Sequence, residues 1–240
     1  IVAHEMRSRG GHLALSPVID VCREPLWGRV EETYGEDPYL NSILSCAAVQ
    51  GLQGSTDGTI AQGHVAATLK HFVGHGEPEG GQNQAPANFS LRVLREFHMP
   101  PFKACIEKAK PACVMPSYNE IDGIPSHANA WLLKEVLRKE YGFKGMIISD
   151  YFAIDHLFGK QFVAKDGKEA AEIAFNAGVQ YEFPNPVYFK FLPELLSEGK
   201  IKLSDIDEAV AMVLKMKFVM ELFDHPYIDV NTAIEVSKRE

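Results

Sequence analysis

Three apolar runs in this chain end on groups that can react. Gly145-Met146-Ile147-Ile148-Ser149-Asp150-Tyr151 delivers a bare carboxylate, and Cys113-Val114-Met115-Pro116-Ser117-Tyr118 delivers a phenol. Ala67-Thr68-Leu69-Lys70-His71-Phe72 delivers an ammonium and an imidazole side by side. A carboxylate that stays ionised beside cations suits nucleophilic catalysis. Three buried strands that release such groups at their carboxyl ends imply one catalytic rim. The residues alone leave blander roles open. Asp150 also suits a helix N-cap after its strand, Lys70 a strand-end cation, His71 a core imidazole and Tyr118 a buried aromatic with a satisfied hydroxyl.

The elements that must position these groups follow from periodicity. The pattern predicts strands over 13–21, 65–73, 112–118, 146–150 and 179–183. Helices are predicted from the Asp37-Pro38 start through Leu52, over 92–108, 129–141 and 168–176, and from Pro193 onward with Ser204 as a cap. A Gly-rich loop fills the stretch from 74 to 88. Regular β–α alternation implies a parallel sheet, and nearly continuous apolar strands imply burial on both faces. A doubly wound sheet and a barrel both satisfy this; polar residues at nearly every strand end favour the barrel. Five clear strands, with a sixth arguable, leave an eight-fold barrel two or three units short. Both chain ends read as cut, since Ile1 opens inside a helical pattern without a cap.

Composition narrows the partners. The 240 residues are 46% hydrophobic and 23% charged, enough for one sizeable core. A net charge of −8 without a Lys/Arg cluster disfavours a nucleic-acid partner. No apolar run approaches membrane-spanning length. The four cysteines occur singly and read as buried free thiols. His71 and His75 have a zinc-like spacing, but Gly74 and Gly76 place them in a loop. Gly74-x-Gly76 meets Glu79 where a dinucleotide fingerprint needs glycine.

Five ordered blocks carry a family resemblance. Val18 to Arg29 followed by Glu32-Thr33-Tyr34-Gly35-Glu36-Asp37-Pro38 is the first. Lys70-His71-Phe72-Val73-Gly74, Met115-Pro116-Ser117-Tyr118-Asn119, Asp122-Gly123-Ile124-Pro125 and Ile148-Ser149-Asp150-Tyr151 follow in order. Together they resemble glycoside hydrolase family 3, from about residue 11 to 227. The resemblance implies a (β/α)8 TIM-like barrel, here incomplete at the N-terminus, and a second α/β sandwich domain absent from this chain. It implies a barrel portion over 1–229, with 230–240 beginning the linker.

The resemblance also assigns roles. Asp150 becomes the nucleophile of a retaining mechanism, which sets a carboxylate about 5–5.5 Å from an acid across the anomeric carbon. Lys70 and His71 become donors to sugar hydroxyls, and Arg29 a planar fork bridging two of them. Arg29 also suits an ion pair with Glu31, Glu32 or Glu36, and Arg23 a structural pair with Asp20 or Glu24. Tyr118 becomes a phenol that orients the nucleophile, and Met115 a pocket wall or a core residue. Tyr151 replaces the commoner Trp and remains able to stack on a sugar. Gln180 stands where the family often has Asp, and Glu182 reads as structural or rim-facing. Strand alternation turns only one of Lys70 and His71 to the mouth, so an irregular backbone is expected at 70–72.

The N-acetylglucosaminidase branch of the family places an Asp-Ser-His triplet where this chain has Gly81-Gln82-Asn83. The resemblance therefore favours the β-glucosidase/β-xylosidase branch, whose acid/base Glu belongs to the following domain. The expected activity is that of a retaining exo-acting β-glycosidase on terminal β-linked sugars, without a metal or organic cofactor. β-Xylosidase, β-N-acetylglucosaminidase and a non-catalytic sugar-binding barrel are the alternatives. The substrate expected is a β-linked oligosaccharide or glycoside, with no nucleic acid or membrane partner, and the family resemblance favours an extracellular or periplasmic setting.

Overall fold

The apolar runs form one five-stranded parallel sheet. In this computed structural model residues 1–238 are described, Phe189 by its backbone alone. The strands are β1 (Leu13–Ala14), β2 (Ala66–Phe72), β3 (Cys113–Pro116), β6 (Met146–Tyr151) and β7 (Tyr181–Phe183), and they lie in that order across the sheet. Between β3 and β6 a small antiparallel hairpin pairs β4 (Glu120–Ile121) with β5 (Ile124–Pro125). Its turn is Asp122-Gly123, both at positive φ, the conformation that two-residue hairpin turns demand.

Helices follow the strands and pack on both faces of the sheet. They are α1 (Val2–Ser8), α2 (Pro38–Gln53), α3 (Leu91–Val93), α4 (Pro100–Lys108), a π-type helix over Trp131–Glu140, α5 (Ala153–Gly159), α6 (Gly167–Ala177), α7 (Val187–Ser197), α8 (Leu203–Val219) and α9 (Val230–Ser237). Asp37 caps α2 by accepting from the Leu40 N–H at 2.7 Å, and Gly54 ends it at φ 72°. Such a cap contributes about 1 kcal/mol. Residues 230–237, expected to begin a linker, form α9, which lies against α1.

Strand alternation divides the core. Ala67, Leu69, Val114, Ile147 and Val179 belong to the large cluster that the helices fill with Val49, Phe102, Leu132, Leu133, Leu137 and Ala174. Cys113, Met115, Met146 and Ile148 form a second cluster, against which Leu13, Phe183 and the α8 residues Val213 and Met216 pack. The two faces are what period-2 geometry makes of a continuous apolar run.

Departures from expectation have local causes. β1 is regular only over two residues because the ladder steps from Ala66 N–His12 O to Thr68 N–Ser16 O, two residues further along β1's chain than a regular parallel register allows. Its chain still follows β2, with Thr68 N donating to Ser16 O at 3.0 Å and Ile19 N to Lys70 O at 2.7 Å. The stretch expected as one helix over 92–108 is wound as π-helix over Leu94–His98 before α4 begins at Pro100. Pro100 and Pro101 lack the donors that an unbroken α-helix needs there. α7 starts at Val187 and contains Pro193, so the helix begins earlier than expected. Ser204 lies inside α8; the cap position is Lys202, with no side-chain cap bond.

The four cysteines are free thiols, with Cys46 only half-buried. No helix among the described residues is long and apolar enough to cross a membrane.

Candidate active site at the carboxyl ends of the strands

Asp150 is the penultimate residue of β6, where the strand leaves the sheet. It is buried, with 8% of its surface exposed. Oδ1 accepts from the Tyr151 N–H at 2.7 Å, while buried Oδ2 has no hydrogen-bond partner. Oδ2 lies 3.5 Å from His71 Nε2. Asp150 does not cap the next helix: Phe152 holds that position, without a side-chain cap bond.

β2 brings the two basic residues. Its register against β3 runs Lys70 to Met115 and then Phe72 to Pro116, stepping past His71. That step is the irregularity expected at 70–72. The Lys70–His71 and Phe72–Val73 peptides are cis. Lys70 is half-buried; its backbone pairs with Ile19 and Pro17, while its ammonium makes no hydrogen bond or ion pair among the described residues. Burial pulls its ammonium below the usual lysine range, and the Asp150 charge opposes that shift.

His71 is fixed from behind by Asp20. The Asp20 Oδ2 accepts from the His71 N–H at 3.1 Å and from Nδ1 at 2.8 Å. Burial pushes the Asp20 carboxyl up to about 6 and the His71 imidazole down to about 3. At neutral pH this describes an ionised Asp20 and a neutral His71 with its proton on Nδ1. Nε2 then carries a lone pair, so the neutral ring accepts on its open side.

Arg29 joins the pieces. Nε and Nη2 chelate Glu32 at 2.7 Å each, Nη1 donates to His75 Nε2 at 3.2 Å, and Nη2 reaches His71 Nε2 at 3.5 Å. His75 Nδ1 donates to Asn119 Oδ1 at 2.5 Å, which leaves Nε2 as the acceptor Arg29 needs. Burial holds His75 down to about 3, so it too is neutral. A guanidinium has five N–H groups. Four are engaged here, and the remaining one is on Nη1. The ion pair with Glu32 and the position in the polar cluster therefore coexist.

Tyr118, after β3, donates its hydroxyl to the Tyr151 carbonyl at 2.8 Å. Burial and then the Asp150 charge raise its phenol, so it stays protonated. Tyr151 is 47% exposed, with its ring 5.7 Å from that of Phe183. Met115 is buried in the second apolar cluster with Cys113, Met146 and Ile148. Six of the seven sequence-selected residues thus surround Asp150 or include it, and Met115 packs beneath them.

Several residues singled out as peripheral find structural partners. Arg23 pairs with Glu77 at 3.4 Å and lies over the Phe97 ring, instead of pairing with Asp20 or Glu24. Gln180 Oε1 accepts from Arg138 at 2.7 Å and from the Ile147 N–H at 3.1 Å. Glu182 Oε1 accepts from the Tyr188 N–H at 2.5 Å. Asn83 Oδ1 accepts from buried Trp27 Nε1 at 3.0 Å.

Asp20, His75, Asn119 and His127 were not selected as site residues from sequence. For Asp20, His75 and Asn119 the signal was a polar side chain in or beside a block that carries a selected residue; His127 follows the Asp122–Pro125 block, which carries none. Among the described residues no group of three or more His, Cys, Asp or Glu is arranged to hold a metal ion.

Comparison with known proteins identifies the family. Residues 1–216 match the model of the glycosyl hydrolase family 3 N-terminal domain. A putative β-xylosidase of Formosa agariphila is 39% identical over 96% of this chain and 30% of its own length. A periplasmic β-glucosidase of Salmonella typhimurium is 37% identical over 95% of this chain and 29% of its own. Among solved structures, a β-glucosidase from Erythrobacter marinus superposes with a TM-score of 0.93 at 38% identity, covering 98% of this chain and 31% of that one. A Listeria innocua β-glucosidase in complex with glucose gives 0.90 at 36% identity, over 97% of this chain and 33% of that one. The chain spans about a third of the length of these relatives. It belongs to glycosyl hydrolase family 3, whose N-terminal domain it carries.

Proposed function

We propose that this chain is the nucleophile-bearing part of a retaining, exo-acting β-glycosidase of the β-glucosidase/β-xylosidase branch. The observation that carries the reading is Asp150 Oδ2. It is a buried carboxylate oxygen without a hydrogen-bond partner among the described residues, beside His71 and in the field of Arg29 and Lys70. The relatives' activities, β-glucosidase and putative β-xylosidase, support the substrate class.

In this reading Oδ2 attacks the anomeric carbon of a terminal β-linked sugar. Oδ1 stays on the Tyr151 N–H, which limits rotation of the carboxylate. The C1–O bond to the aglycone breaks, and the leaving oxygen takes a proton from an acid outside this chain. A covalent glycosyl-enzyme remains, and water releases the sugar as the same external group takes its proton. Lys70 and the uncommitted Arg29 N–H donate to sugar hydroxyls, while the His71 Nε2 lone pair exchanges its long Arg29 contact for one. Tyr118 holds the Tyr151 carbonyl and so the turn that presents Asp150. The exposed Tyr151 ring offers a stacking face beyond the cleaved bond. The five-stranded sheet is then part of a (β/α)8 barrel that ends near residue 229, and the acid/base belongs to a second domain.

The contact between Asn83 and Trp27 supports this branch over a β-N-acetylglucosaminidase, since the residue at the branch's acid/base position is engaged in holding a buried ring. The test is Asp150→Asn in the full-length protein. Loss of covalent catalysis should lower kcat by roughly a thousandfold or more; a loss under tenfold would contradict the assignment.

A further inference from the structure

The backbone of Asp150 has a partner that the mechanism above does not use. β3 stops pairing with β6 at Val114–Ile147, and on the other side the β6–β7 register shifts between Ile148 and Tyr151. The Asp150 N–H is thereby left beyond the regular ladder, inside the protein. A buried donor without an acceptor is costly. His127 fills the gap: its Nε2 accepts from the Asp150 N–H at 3.1 Å.

The imidazole is 2% exposed and sits on the one-turn helix Ser126–Ala128 that follows the β4–β5 hairpin. It also hydrogen-bonds the Ser117 backbone, and burial holds it neutral, so Nε2 keeps its lone pair. Ser117 is itself tied to β2, with its N–H on Phe72 O at 2.8 Å and its hydroxyl on Val73 O at 3.2 Å. Ser126 Oγ is 3.0 Å from Ser117 Oγ and donates to Asn119 O at 2.9 Å. The ring therefore links the backbone of Asp150 to the backbone that follows Lys70 and His71.

We infer that His127 is a positioning residue for the nucleophile, fixing the Asp150 backbone against the strand that carries the sugar-binding groups. The inference rests on Asp150 being the nucleophile. It concerns alignment in the transition state, where a displacement of about 1 Å costs about a hundredfold in rate. Ground-state sugar binding, carried by Arg29, Lys70 and His71, should be spared.

The experiment compares His127→Leu and His127→Gln with the unaltered full-length protein. Leucine removes the acceptor at similar volume, whereas the glutamine carbonyl reaches the former Nε2 position. Each protein is assayed with dinitrophenyl β-glucoside and β-xyloside for kcat, and with free glucose and xylose for Ki. Leucine should lower kcat about 10–100-fold with Ki within twofold, and glutamine should recover kcat to within about threefold of the parent. An unchanged kcat in the leucine variant would overturn the role. So would a parallel loss of kcat and sugar binding, or a folded glutamine variant no better than leucine. Labelling of the unaltered protein with a 2-fluoro glycoside runs alongside. If Asp150 is not the labelled residue, the nucleophile reading fails by itself, whatever the His127 variants do.

Discussion

Replacing Arg29 by lysine keeps the charge and removes the fork, so it isolates what the planar guanidinium supplies. Lysine offers three donors from one atom and cannot chelate Glu32 while also reaching two rings. The Glu32 pair is partly solvent-exposed, with side-chain exposures of 21% and 39%, so its loss contributes little. His75 Nε2 and His71 Nε2 are different. Both rings are buried, and their open nitrogens depend on Arg29 among protein donors. Each acceptor left alone costs about 1–3 kcal/mol. The His71 contact is long, so the total expected is about 2–4 kcal/mol, read from the urea midpoint of the chain. The uncommitted N–H that faces a ligand adds a charge-assisted bond of about 1.5–3 kcal/mol, or roughly 12–150-fold in kcat/KM of the full-length protein. A variant within 0.5 kcal/mol in stability and threefold in kcat/KM, thresholds set at about the noise of a surface substitution, would refute the donor count on which the site is built.

Three other outcomes are expected. Met115→Ala, in the second apolar cluster, should destabilise the chain by about 2–5 kcal/mol in urea titration, and a change below about 1 kcal/mol would show that this face is loosely packed. His71, His75 and His127 each have folded values lowered to about 3 by burial. Below the usual histidine pKa near 6.5 the unfolded chain binds the extra protons. Their contribution is therefore present above about pH 6.5 and lost as pH falls toward 3. Asp20, raised to about 6, contributes in the opposite sense, its term being lost as pH rises from about 4 through 6. Urea midpoints should fall from pH 6.5 toward 3 because three imidazoles outweigh one carboxyl; a flat profile would mean the rings are already charged in the fold. Asn83→Ala frees the Trp27 Nε1–H, with an expected cost of about 1 kcal/mol in stability and near-normal turnover of aryl β-glucosides and β-xylosides in the full-length protein. A hundredfold loss of that turnover would instead support an acid/base role for this loop position.

The strands were legible because an apolar run of that length, bounded by polar groups, fits little besides a sheet interior buried on both faces. Asp37-Pro38 marked a helix start by its own chemistry. Asp150, Arg29, His71 and Tyr118 were legible as ends of such runs and as parts of blocks in fixed order. The interior partners were not. Asp20 acts on His71 from 51 residues away, and Asn119 orients His75 from 44 away, through contacts that only the sheet order creates. His127 matters because β3 stops early, which periodicity alone does not reveal. The Asp122-Gly123 turn carried a hairpin signal of its own, yet its two-residue strands are shorter than any window that alternation can fill. His71 reads from sequence as a sugar-binding group; the Asp20 contact that holds its ring is created only by the fold.

The central claim is that Asp150 Oδ2 forms a bond to the anomeric carbon of a sugar. A 2-deoxy-2-fluoro β-glucoside or β-xyloside with a dinitrophenyl leaving group needs no acid to depart, so the full-length protein should be trapped as a covalent adduct. Proteolysis and mass spectrometry should then place one fluoroglycosyl group on the peptide containing residues 146–151, at Asp150, and Asp150→Asn should abolish it. An adduct on any other residue, or release of dinitrophenol with no trapped sugar and no burst, would contradict the account.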